Sequence, residues 1–279
     1  MALFVSTQSG NWHDPLTWDV GTVPDLGVDD VIVATGHEVV LESSEYESLS
    51  PGHLLGVVEG GTLRIQGGLD AYESDVIVIG DLIAEGSHLA IWGGGHLEID
   101  PTGTVTVDSG FYLESEGTAN VEGVLEITSG GDMSVYWDGV LTVAIGGVLD
   151  FYGYGYVEDY SEFHLHGDLQ INTGGTLSIA YYGFMTVEQD GVAVIDGTLS
   201  TTYYGLIDVF GYLGVAADGY LRVYSNAQIN VYTDISIGGR MTGGGKVLML
   251  RREGRILDFN DNQIFVLDRA YGFGQTQIA

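Results

Sequence analysis

Residues 123–155 read GVLEITSGGDMSVYWDGVLTVAIGGVLDFYGYG, and a glycine returns there every eighth residue, at Gly123, Gly131, Gly139, Gly147 and Gly155. The spacing resumes at Gly167, Gly175, Gly183 and Gly191, with shorter echoes at Gly95/Gly103 and Gly211/Gly219. Apolar residues stand two and four places after the glycine: Leu125 and Ile127, Met133 and Val135, Leu141 and Val143. Alternation of this kind turns one face of a short strand inward and the other outward. The same rule points Leu149, Leu169, Ile171, Leu177, Ile179, Met185, Val187, Leu221 and Val223 inward. A fixed period means that one small unit is stacked many times.

Five residues of strand and three of turn, taken three times, predict a triangular coil of about 24 residues with strands at the ~4.8 Å sheet spacing. The fold class expected is all-β, a parallel β-helix. Residues 57–238 form its body, residues 1–56 an entry cap, and residues 239–279 a C-terminal cap or docking segment. Departures from the octad at Phe111–Val121 and Tyr154–His166 are expected to be bulged turns or short insertions. The Gly-rich stretch 238–245 reads as a turn, and KVLML (246–250) and QIFVL (263–267) read as two further strands. An intertwined trimer with strands shared among chains would give the same periodicity, so the sequence leaves both arrangements open.

The chain has 279 residues, 44 of them glycine, and no cysteine, so disulfides and thiolate metal sites are excluded. Its formal charge is −31, from 39 acidic against 8 basic residues. Binding to a phosphate backbone needs the opposite sign, so nucleic acid is not an expected partner, and anionic membrane surfaces are disfavoured likewise. The charge is uneven. Residues 1–239 hold only Arg64 and Arg222 against 35 acids, whereas residues 240–279 hold Arg240, Lys246, Arg251, Arg252, Arg255 and Arg269 against four. That basic end is either an ordinary cap or a docking end for an acidic partner or another subunit, with Arg251, Arg252, Arg255, Lys246 and Arg269 as its contact residues. No basic segment precedes an apolar run at Met1–Gly10, and no stretch approaches the ~20 apolar residues of a membrane helix.

The entry segment carries SGNWHDPLTW (9–18), a Val-Pro at 23–24 and DDVIVATGHEVVL (29–41). Over about 35 residues this resembles the opening of the extracellular β-helical domains named for their eight glycines, and related modules of large secreted bacterial proteins. The resemblance implies a β-helix entrance in which Trp12 and Trp18 plug the open end of the core.

Aromatic residues recur at about one coil: Trp92, Tyr112, Tyr136, Tyr160, Tyr182 and Tyr204, with Tyr181 and Tyr203 doubling the stripe. They are expected to stack along one edge of the prism as a stabilising ladder, a protein contact surface or a platform for carbohydrate. His164-Leu-His166 puts two imidazoles on one strand face, but no third ligand stands at a recognisable spacing, and the acids form no calcium loop. No metal or other cofactor is expected. A lyase would need a basic residue beside a bound uronate, and the body offers only Arg64 and Arg222. No nucleophile elbow, P-loop or dinucleotide fingerprint is present.

These features lead to the expectation of a non-enzymatic structural virion protein of a tailed bacteriophage, made in the host cytoplasm. It would be a capsid decoration protein or a tail fibre or spike component, homotrimeric and docked by one end on capsid or tail proteins. A secreted or cell-surface adhesin module is the alternative, and a polysaccharide-degrading β-helix enzyme the second alternative.

Overall fold

The computed structural model describes residues 2–233 and 235–249, and beyond them the backbone of Ile256–Asp258, Ile264–Asp268 and Thr276–Ile278. Short strands of one chain stack into three sheets of 14, 12 and 10 strands, with parallel pairing throughout except where Thr276–Ile278 runs antiparallel to Ile264–Asp268. The fold is a single-chain parallel β-helix. All fifteen residues placed inward by the glycine offset are buried, and they join one continuous apolar core.

The coil is shorter than three octads. Val31 pairs with Leu55 in the first turn, as three octads require. In the body, Leu97 pairs with Ala119, Ala119 with Leu141 and Leu141 with Phe163, each an advance two positions smaller. The difference lies in one tight corner per coil. Strands begin at Thr118, Val124, Asp132 and Val140, then at Val148, Tyr154 and Glu162, so a six-residue step falls before the second sheet in one coil and after it in the next. Pairing in the second sheet therefore alternates, with Leu125 opposite Leu149 but Leu149 opposite Leu169. Both offsets are even, which keeps the same face inward despite the shift.

Glycine is required at these corners by proximity. A Cβ on Gly123, in a tight corner, would sit 2.3 Å from the carbonyl oxygen of Gly103 and 2.4 Å from that of Asp100, in the wide corner one coil below. Gly155 departs from the pattern: it faces the core within Tyr154–Val157, and the Phe151 ring fills the space its side chain would take. The segments Phe111–Val121 and Tyr154–His166 are regular coil, not bulges or insertions. They break the octad because Ser109 ends one tight corner and Ser161 stands where other coils have glycine.

The stack extends into the entry segment, since Asp30–Val33, Glu38–Leu41 and Tyr46–Leu49 already form a coil paired with the next. Below it, Trp12 and Trp18 are buried edge to face with centroids 5.1 Å apart, and the Trp18 indole donates a 2.8 Å hydrogen bond to the Trp12 carbonyl. A short turn, Pro15–Thr17, holds them, with Asp14 accepting from the Leu16 amide at 2.9 Å. At the far end, Lys246–Met249 continues the first sheet from Gln228–Val231 and pairs with Ile264–Asp268.

Candidate contact surface

Six successive coils leave the third sheet through a corner with two consecutive residues at positive φ. They include Gly93 and Gly94 in one coil (61° and 85°), Asp159 and Tyr160 in another (53° and 68°), and Tyr181 and Tyr182 in the next (43° and 69°). Tyr203 and Tyr204 repeat it at 42° and 69°. The shape propagates because the coils hydrogen-bond there, as where the Asp159 amide donates to the Tyr181 carbonyl at 2.9 Å. Glycine adopts this region freely, whereas any other residue gives up about 1 kcal/mol or more.

Their side chains form two stacked rows. Tyr160, Tyr182 and Tyr204 follow one another at centroid distances of 5.2 Å, nearly parallel, and Tyr181 lies on Tyr203 at 4.7 Å. All five remain about half exposed or more. The stripe read from sequence is thus real over three coils and needs correction beyond them. Trp92, Glu114 and Tyr136 share one register column on the sheet, and Tyr112 lies in another opposite Ser134. Relative to the column of Trp92 and Tyr136, Tyr112 comes two positions early and Tyr160 two positions late. Trp92, Tyr112 and Tyr136 therefore do not belong to the ladder. Trp92 packs on Tyr72 instead, and Tyr136 on Trp137. Burial pushes the phenols of Tyr112 and Tyr136 up, reinforced by Asp132 and Glu114 respectively.

Beside the ladder, the outer face of the third sheet holds an open depression of roughly 480 Å³. Its floor is Thr176 and Ser178 on one strand and Thr198 and Ser200 on the next, which pair directly. Tyr154 and Tyr156 close it toward the N-terminus, Tyr203 and Tyr224 flank it, and Arg222 stands at its other end. Every lining side chain carries a hydroxyl except that of Arg222, and none carries a carboxylate. The signal was present in the sequence as GTLSI (175–179) and GTLST (197–201), one coil apart, but its meaning depends on the coil length.

Cations elsewhere have other settings. Arg64 is paired with Glu38 at 3.0 Å and with Glu85. Arg222 and Arg240 instead both lie against the Tyr220 ring, 5.2 and 5.6 Å from its centroid. Lys246 is exposed on its strand, while Arg251, Arg252, Arg255 and Arg269 lie outside the described residues. His164 contacts Glu162 at 2.8 Å, and no group of three or more metal-ligating side chains occurs among the described residues. Burial raises the carboxyls of Glu158 and Asp208, the latter opposed by a hydrogen bond from Asn230, and raises that of Glu47 against the pull of His13. No helix among the described residues is long and apolar enough to cross a membrane.

No family model matches the sequence, and no curated protein matches it. Among solved structures the chain is similar to a TibC-catalysed, hyper-glycosylated TibA fragment, with 15% identity over 94% of this chain and 98% of that one and a TM-score of 0.22.

Proposed function

We propose that this β-helix is a non-enzymatic structural protein that presents a rigid aromatic edge for contact on the outside of a particle. The observation that carries this reading is the row of half-exposed tyrosines set in backbone positions where glycine would be cheaper. Strained, exposed residues of this kind point to function rather than to folding. Aromatic side chains also give large contact area at little entropic loss. In its most specific form the protein is a virion component of a tailed bacteriophage, a capsid decoration or a tail fibre or spike element. It works as a homotrimer docked through residues 240–279, where six of the eight basic residues are concentrated. The aromatic and hydroxyl-lined depression favours the adhesin alternative as a second reading.

Two measurements on the full chain test the proposal. Native mass spectrometry is expected to give three times the 29.8 kDa chain mass. The triple variant R251Q/R252Q/R255Q is expected to keep its melting curve and lose attachment to the purified particle, because guanidinium groups pair bidentately with carboxylates. A monomer that attaches equally well with and without these arginines would overturn it.

A further inference from the structure

The depression on the third sheet has a chemistry unlike the rest of the molecule. In a chain with 39 acidic residues, its lining contains no carboxylate and one arginine. Tyr154 and Tyr156 at one end and Tyr203 and Tyr224 at the flank supply aromatic rings, and the floor offers hydroxyls in two register columns, Thr176/Thr198 and Ser178/Ser200. The strands from Tyr154–Val157 to Tyr220–Val223 are successive in the sheet. At ~4.8 Å per step the site is therefore about 14 Å long, elongated along the stack. Arg222 and Arg240 both rest on Tyr220, and neither has a carboxylate partner among the described residues. A guanidinium stacked on a ring keeps its N–H edge free for a planar bidentate acceptor.

We propose that this face binds an acidic oligosaccharide. Sugar rings lie against the tyrosine faces, their hydroxyls exchange hydrogen bonds with the threonine and serine floor, and a ring carboxylate docks on Arg222 and Arg240. A neutral glycan would leave the arginines without a counter-charge. An acidic peptide would lack the hydroxyls that the floor is built to meet. The field of a chain at −31 opposes any anion, so only a ligand that makes all three kinds of contact is retained.

The full chain is to be tested by calorimetry and on immobilised glycans against oligosaccharides of galacturonate, glucuronate and guluronate and against sialyllactose, each beside its carboxyl methyl ester. At least one acid is expected to bind, and its ester at least tenfold more weakly. Arg222→Gln should reproduce that tenfold loss, and Ser200→Tyr, which fills the floor with a ring from an outward position, should abolish binding. Both variants should keep the wild-type melting curve, which separates site loss from unfolding. Failure of all four acids to bind, equal binding of the esters, or binding indifferent to both substitutions would overturn the proposal.

Discussion

Two corners of the same backbone shape carry opposite residues. Gly93 and Gly94 turn the chain out of the third sheet in an early coil, and Tyr181 and Tyr182 do so four coils later with φ values in the same region. A Cβ on Gly94 would meet nothing within 4 Å, so that position has room for a side chain and does without one, whereas Gly93 is held to glycine by the Tyr72 ring, 2.2 Å from where its Cβ would lie. The late corner and the one after it accept the left-handed strain of four tyrosines, Tyr181 and Tyr182, then Tyr203 and Tyr204. At Gly94 and its counterpart Tyr182 the difference is what faces outward. The solenoid thus sets the corner's shape but not which residues stand on it.

The common core beneath both corners is the place where a substitution does most harm. Leu141→Asp buries an unpaired charge at a position with no exposure, and it should abolish cooperative melting altogether. A wild-type thermal transition for that variant would break the inward register on which the comparison rests. Next in size is Gly183→Ala, just after the Tyr181–Tyr182 corner, whose Cβ would lie 2.0 Å from the Val157 carbonyl oxygen. It should destabilise by about 1–3 kcal/mol, as overpacking does, read by chemical denaturation. Gly94→Tyr, which imports the late residue into the early corner without a stacking partner, should lose about 1 kcal/mol in the same assay.

How much of this is legible in the sequence depends on which constraint is at work. The inward face is legible because a strand's period of two leaves no freedom: Leu125 and Ile127 could only point together. The coil length is not, because Glu122-Gly123 in a tight corner and Gly130-Gly131 in a wide one both present a glycine before the strand, and only pairing tells a short step from a long one. That ambiguity of two positions also misplaced Trp92, Tyr112 and Tyr136, while Tyr160, Tyr182 and Tyr204 keep step with the true coil. The arginine pair is illegible for the same reason. Arg240 reaches Tyr220 because that last turn of the third sheet is shortened and sets the two residues directly opposite each other.

The smallest effect expected comes from pH. Glu47, Glu158 and Asp208 have carboxyls raised by burial, so the folded chain holds protons more tightly than the unfolded one. Stability from this source is present at low pH and is lost as pH rises through their titration, so the melting temperature should climb modestly as pH falls from neutral into the carboxylate range. Asp208→Asn should flatten that slope, and an unchanged slope would mean that the Asn230 contact compensates for burial.

If the tyrosines of the two late corners serve contact rather than folding, the stack should stand without them, as the quadruple replacement of Tyr181, Tyr182, Tyr203 and Tyr204 by glycine would show. Relief of backbone strain, about 1 kcal/mol or more per residue, opposes the loss of three stacked pairs at about 0.5–1.5 kcal/mol each and the entropy that glycine adds to the unfolded chain. The variant should keep a cooperative melting transition within about 5 °C of wild type, on a scale where 1 kcal/mol moves a domain of this size by roughly 2–4 °C. A fall of more than about 10 °C would contradict the contact role and make the ladder a structural clamp of the stack.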